Sequence, residues 1–287
     1  MPKAGKLSDN HNHSTNTDVY TASELLELLP NDIDHINAQK LRATPPYIIA
    51  SFLNRLNVED CRKVLRKVPD IDASEILAEM DVETSAEIVR AMREWRALRI
   101  LEEFDPDDAA DVLNELDEYD RVRLLEKLEP EQAKKVRSLL KYAPDTAGGV
   151  MTPNFMAVKE HMTVDQAIQE IRRMKTKVPE VSYIYAIDED GKLKGVLSMR
   201  NLILADSKDK VSDIMNTHLK GLCLPTEDRE KVALKMGELN FYDLPVVDEE
   251  GRLLGIVEHD DVIDIIQDEA TEDFQKLVGA GADETIH

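Results

Sequence analysis

The 287-residue chain carries 36 Lys and Arg against 58 Asp and Glu, a formal net charge of −22. That balance excludes a nucleic-acid backbone as the main partner, because cationic side chains would have to hold it. No run reaches the roughly 18 apolar residues that cross a bilayer, and the polar segment 1–17 has no apolar centre for a secretory signal. Cys61 and Cys223 are too far apart in sequence for a disulfide framework or a thiolate metal site. A soluble, acidic, intracellular protein of two or three domains is expected.

Residues 1–20 read as a disordered lead, with His11 and His13 as solvated tail residues. Order is predicted to begin near Thr21, with Ser23 capping the segment ELLELL. From Leu56 to Leu140 an apolar register recurs every twelve residues: Leu56, Val68, Met80, Met92, Phe104, Leu116, Leu128, Leu140. A second apolar position precedes most of these by three residues, and a small residue (Cys61, Ala73, Ser85, Ala97, Ala109, Ala133) recurs in the same period. Twelve residues fit one short helix and its turn. Helices of two turns are unstable alone, so residues 21–142 predict an all-α superhelical stack in which each helix leans on its neighbours. Trp95, in the segment 84–103, is assigned to packing.

Residues 100–120 of this stack hold ten Asp and Glu and no Lys or Arg. Asp107 and Asp111 are four apart and share a helix face, where like charges are mutually unfavourable. Asp105 or Asp107 suits a helix cap, which accounts for one carboxylate and not ten. Solvation by water and salt is one explanation; a hard divalent cation is the other, since carboxylates, carbonyls and waters are its preferred ligands.

Beyond Tyr142 β-branched runs appear between glycine turns. Residues 183–201, YIYAIDEDGKLKGVLSMRN, and 243–261, DLPVVDEEGRLLGIVEHDD, align at an offset of sixty. Each reads as strand, acidic-glycine turn, strand and helix start, and helical segments are predicted over 163–174 and 227–238. The result is a tandem β-α-β-β-α unit.

These two units resemble cystathionine-β-synthase-type (CBS) domains. The whole pattern, from the helical repeat through YAPDTAGGVMTPNFMAV to LPVVDEEGRLLGIVEHDDVIDIIQDEATEDFQKL, resembles the cytosolic region of MgtE-type magnesium transporters. The resemblance covers about 25–278 and implies CBS domains over 143–206 and 207–267, then a connecting helix beginning within 268–287. A transmembrane pore domain would follow in sequence, outside this chain, placing the region on the cytoplasmic side of a membrane. The family implies a homodimeric sensor in which Mg²⁺ bridges the helical domain and the CBS pair and favours a closed pore.

The metal ligands implied by the resemblance fall in DPDDAAD, giving Asp107 and Asp111, and in HDDVID, giving Asp261 with Asp264 close behind. A backbone carbonyl corresponds to Gly149, and an acidic helix start to Asp228 with Glu230 nearby. The EATED segment gives Glu269, Glu272 and Asp273. Asn240 stands where the family commonly has Asp, and Gly237 replaces a bulkier residue, so no ligand is carried to either. Independently, residues 258–273 hold eight carboxylates and no Lys or Arg. Two acidic surfaces meeting without a cation would repel, by roughly 4 kcal/mol per close pair at an effective dielectric of about 20.

Two alternatives stay open. CBS pairs often bind adenine nucleotides such as ATP, and Ser198, Arg200 and Asn201 are the candidates here; Glu258 in the second unit would repel phosphate. A metal-independent dimeric interaction module is the other, and dimerisation through apolar patterns in 164–174 and 232–236 is expected in either case. No nucleophile motif, phosphate-cradling glycine loop or histidine cluster accompanies the acidic segments, so an enzyme is not expected.

Overall fold

The computed structural model describes residues 19–28, 30–174, 183–263 and 265–266. His11, His13, Asp264, Glu269, Glu272, Asp273 and the expected connecting helix lie outside the described residues.

The helical part comprises α1 (Ala22–Leu26), a 3-10 turn (Pro30–His35), α2 (Ala38–Arg42), α3 (Pro46–Leu53), α4 (Val58–Leu65), α5 (Asp70–Ala78), α6 (Val82–Ala91), α7 (Glu94–Glu103), α8 (Pro106–Asn114), α9 (Glu118–Lys127) and α10 (Pro130–Leu139). Thr21 caps α1 in a reciprocal box with Glu24, whereas Ser23 lies inside the helix; the hydroxyl one residue before the first helical turn wins the cap. Helices α4 to α10 begin at 58, 70, 82, 94, 106, 118 and 130. The twelve-residue period is therefore one helix plus one turn.

The small residue stands fourth in the helix and is buried in α4 to α8 and α10. Its size is set by a close neighbour: Cys61 Sγ reaches the Leu53 carbonyl at 3.3 Å, and Ser85 Oγ donates to the Leu77 carbonyl at 2.7 Å. Helix α4 thus seats its first turn against the end of α3, and α6 against the end of α5. Trp95 corrects an expectation, being 55% exposed on α7 rather than packed.

Contacts divide the chain into two compact units between Ile100 and Leu101. The second unit contains α8–α10 together with all the strands. Its first sheet has β1 (Ala157–Lys159) parallel to β2 (Ile184–Ile187), and β2 antiparallel to β3 (Leu193–Leu197). The second sheet pairs β4 (Asp243–Val247) with β5 (Leu253–Glu258), and Cys223 adds a single parallel bridge to Val246. Helices α11 (Val164–Met174), α12 (Met199–Leu204), α13 (Val211–Ile214) and α14 (Arg229–Leu239) complete the tandem arrangement. Asn240 ends α14 in the left-handed conformation, φ 52°, which Asn tolerates better than most non-glycine residues.

The two CBS halves share a cluster built on Tyr185, Leu193, Val247 and Ile256. Their turns also exchange hydrogen bonds: the Leu193 amide donates to the Gly251 carbonyl at 2.9 Å, and the Leu253 amide to the Gly191 carbonyl at 3.0 Å. Tyr185 is 1% exposed and its hydroxyl has no hydrogen-bond partner. A buried unpaired hydroxyl is costly, so Tyr185→Phe is expected to stabilise the unit by about 1 kcal/mol, read as a higher denaturant midpoint at unchanged slope.

The apolar patterns expected to mediate dimerisation are largely spent within the chain. Val164 and Ala167 lie in the first CBS core, with Ile168, Ile171 and Met174 packed on it, and Val232, Ala233 and Met236 are buried. The exposed apolar side chains on the CBS helices are others, including Met199, Ile203 and Leu204 on α12 and Leu234 on α14.

Candidate functional site

Helix α8 opens with Pro106, whose fixed φ suits the first helical position, and with Asp105 at the cap. Asp105 makes no capping hydrogen bond to its own helix. Its Oδ1 instead accepts from Asn154 Nδ2 at 3.0 Å, while Asn154 Oδ1 accepts from Lys135 Nζ at 2.6 Å. This relay ties α8 and α10 to the loop before β1.

Asp107, in the first turn, and Asp111, four residues on, share one face of the helix. Burial pushes the Asp107 carboxyl up to about 6, with the Asp105 and Asp260 charges adding to it; hydrogen bonds from its own amide and from Thr152 oppose the rise. Burial likewise carries Asp111 up to about 7, aided by the Asp107 charge and opposed by the Arg229 guanidinium. Asp261 follows β5 in the helical residues 259–263. Burial raises it well above the usual carboxylate range, and Asp107, Asp260, Asp108 and Glu258 all press in the same direction. Glu258, at the end of β5, is driven up to about 8 by burial and then by Asp260, Asp107, Asp243 and Asp105.

Two of these carboxylates carry an oxygen that is shut off from solvent without a partner: Asp107 Oδ1 and Asp261 Oδ2. Buried polar atoms are normally satisfied, and a charged one most of all. A hard cation suits both. Among the described residues no three His, Cys, Asp or Glu side chains form a ready-made cage.

Thr152 is held in place by strand β5. Its amide donates to the Ile256 carbonyl at 2.8 Å and its carbonyl accepts from the Ile256 amide at 2.9 Å. Gly255 permits the approach, since a Cβ there would stand 2.7 Å from the Thr152 carbonyl oxygen and 2.9 Å from Met151 Cγ. Gly255→Ala is expected to destabilise the unit by about 1–3 kcal/mol through overpacking and to weaken any cation response with it, because Thr152 neighbours Asp107. Thermal melts with and without Mg²⁺ check both effects.

Gly149 and Asp228 lie on segments joined to each other. The Ala147 amide donates to Glu227, the Gly148 amide to Pro225, and Thr146 bridges Asp228. A side chain at Gly149 would run directly into the Ala143 carbonyl oxygen. Asp228 caps α14, accepting from the Lys231 amide at 3.1 Å, and Glu230 stands exposed in its first turn. The structure therefore gathers Asp107, Asp111 and Asp261, and places Gly149 and Asp228 on neighbouring segments beside Arg229. Sequence reasoning missed Asp105, Thr152, Arg229, Glu258 and Asp260 as members of this neighbourhood. The acidic pair was visible in the run 258–273; the others are brought in by tertiary pairing.

The nucleotide candidates sit apart from this cluster in sequence. Ser198 and Asn201 satisfy each other in a capping box at the start of α12, and Arg200 is exposed.

A stack of short helices followed by two CBS-like halves is the class of protein that these elements define. Residues 44–145 match the MgtE intracellular N domain, and residues 147–208 and 211–268 match CBS domains. The magnesium transporter MgtE of Thermus thermophilus is 49% identical over 143 residues, 50% of this chain and 32% of that protein. Its Bacillus subtilis counterpart is 37% identical over 153 residues, 53% of this chain and 34% of that protein. A crystal structure of the cytosolic domain of the Mg²⁺ channel MgtE in complex with ATP superposes with a TM-score of 0.71 at 39% identity, covering 83% of this chain and 93% of that one. The soluble part of a magnesium transporter gives 0.75 at 28% identity, covering 87% and 100%.

The chain belongs to the MgtE family of magnesium transporters and corresponds to its cytosolic region. It spans about a third of the length of the curated relatives it matches. Among the described residues no helix is long and apolar enough to cross a membrane.

Proposed function

We propose that this region senses Mg²⁺ and gates a homodimeric transporter or channel, with Asp107, Asp111 and Asp261 as the central carboxylates. Gly149, Asp228, Glu230, Asp264, Glu269, Glu272 and Asp273 would complete the set of metal-binding residues. The observation that carries the reading is the pair of buried, unpartnered oxygens on Asp107 and Asp261. Mg²⁺ would supply the positive charge that this arrangement lacks. Without it, the carboxylates of α8 and of the second CBS half repel, and the arrangement that brings them together is disfavoured. Differential affinity for the closed arrangement then converts a change in free Mg²⁺ into a change in population.

A titration of the purified chain from zero to tens of millimolar Mg²⁺, followed by small-angle scattering and limited proteolysis, tests this. A saturable contraction with protease protection is expected, absent in K⁺ at matched ionic strength. A response that tracks ionic strength alone would mean that the acidic surfaces are merely screened.

A second reading, adenine-nucleotide binding, is favoured by the related cytosolic domain having been crystallised with ATP. Here Arg200 is the exposed cation, and Ser198 and Asn201 would have to exchange their mutual hydrogen bonds for ribose contacts. Calorimetric titration with ATP against the wild type and Arg200→Ala separates this from the metal response.

A further inference from the structure

Helices α3, α5 and α7 carry Tyr47, Ile71 and Trp95 as their second residue, two periods of the repeat apart, and these side chains are 58%, 44% and 55% exposed. The second residue of α4 and α6 is acidic and exposed instead, Glu59 and Glu83. An acid is what the first turn of a helix favours, because the free amides there carry partial positive charge. Large apolar groups at the same position of the alternate helices gain nothing from the helix and stay in water, so the fold does not account for them. One exposed apolar residue needs no explanation; a row of three in register does.

The three helices adjoin one another. Helix α5 packs on α3. Asp70, next to Ile71, receives Arg96 Nε at 3.1 Å and Arg99 Nε at 3.0 Å, both from α7. A cavity of about 70 Å³ lies between α3 and α5, lined in part by Pro46, Ile49, Asp72, Glu75 and Ile76. Arg42 Nε pairs with Asp72 at 3.2 Å, whereas the exposed Glu75 has no ion pair among the described residues.

We propose that this row is a docking surface for a short proline-rich segment of a partner protein, extended in the polyproline-II conformation and carrying a basic residue. Spacing, charge and area each select that occupant, independently of the magnesium reading. Packed helices stand roughly 8–10 Å apart, and a polyproline-II segment advances about 9 Å in each three-residue turn, so every third side chain meets a new helix. Exposed aromatic side chains are the usual partners of such segments, which lose little conformational freedom on docking. The cavity between α3 and α5 seats one side chain of the segment. Glu75 supplies the complement to an Arg or Lys, and the chain's net charge of −22 steers cationic partners toward it. Three partly exposed side chains make a patch far smaller than the roughly 800 Å² per partner of a stable dimer, which sets a second copy aside.

Trp95 is the only tryptophan in the chain, so its emission reports on this surface directly. The purified chain is titrated with the synthetic peptide Arg-Pro-Leu-Pro-Pro-Leu-Pro, with the same peptide bearing Glu for Arg, and with one bearing Gly for every Pro. A saturable shift of the emission to shorter wavelength is expected with the first peptide, with half-saturation about tenfold higher for the other two. Tyr47→Ala, Ile71→Ala and Glu75→Gln are each expected to raise it by about tenfold, while Leu234→Ala, exposed on α14, leaves it unchanged. All four positions are exposed, so the melting temperatures are expected to match the wild type. No saturable shift with the first peptide, or equal half-saturation for all three, overturns the proposal. So does concentration-dependent self-association of the wild type in sedimentation that Tyr47→Ala abolishes, since the face then belongs to a second copy.

Discussion

Asp261→Asn is expected to push the protein in two opposite directions, raising its stability without metal and weakening its response to Mg²⁺. The wild-type side chain holds a buried oxygen with no partner and faces Asp107, Asp260, Asp108 and Glu258. An amide in its place carries no charge to desolvate and brings a donor that Asp107 can accept. Relief of an unpaired buried carboxylate is worth about 1–3 kcal/mol, a shift of several degrees in melting temperature for a unit of this size. The Mg²⁺ midpoint is expected to rise at least tenfold, because one of the few charged ligands has gone. Asp107→Asn should behave alike. A structural role for either residue predicts the reverse sign in the metal-free melt, so a pair of melts with and without 10 mM-order Mg²⁺ distinguishes them.

The second large effect is on pH. Asp107, Asp111 and Glu258 are held at about 6, 7 and 8, above the ordinary carboxylate values near 4 that they regain on unfolding. A group raised in the folded state contributes stability fully below its unfolded value and loses it as the pH climbs through the folded value. The metal-free protein is therefore expected to lose stability between about pH 5 and pH 8, on the order of a few kcal/mol in all. Cation binding requires the deprotonated carboxylates, so it should release protons, and its midpoint should rise as the pH falls from 8 to 6. Saturating Mg²⁺ then offsets the alkaline loss. Melts across pH 5–8.5, paired with calorimetry in buffers of different ionisation enthalpy, measure both consequences. A Mg²⁺ midpoint that is the same at pH 6 and pH 8 would remove Asp107 and Asp111 from the site.

The helical part was legible because its information is local and periodic. A twelve-residue spacing of Leu, Val, Met and Phe with a small residue in phase leaves one solution, and the helix starts fall on that spacing. The CBS strands were legible for the same reason, through alternation bounded by acidic-glycine turns. Other features depend on partners far away in sequence. Asp105 looks like a helix cap until Asn154, 49 residues on, takes its carboxylate. Thr152 has no acidic neighbour in sequence and reaches Asp107 only because β5 holds it. The apolar stripes of α11 and α14 read as free faces, yet the chain's own core absorbs much of them. Periodicity says that a face is apolar; it does not say what covers it.

The crossed hydrogen bonds between the Gly191 and Gly251 turns carry a practical consequence. Each half of the CBS pair completes the other's turn and walls off the other's apolar residues, with Tyr185 and Leu193 from one side meeting Val247 and Ile256 from the other. Neither half is a finished object, so the pair behaves as a two-part lock whose pieces carry their own instructions for reassembly. Expressed as separate polypeptides divided at their junction, the halves are expected to complement one another into a native-like particle. That gives the region the makings of a split reporter, in which reconstitution, rather than permeation, is the signal.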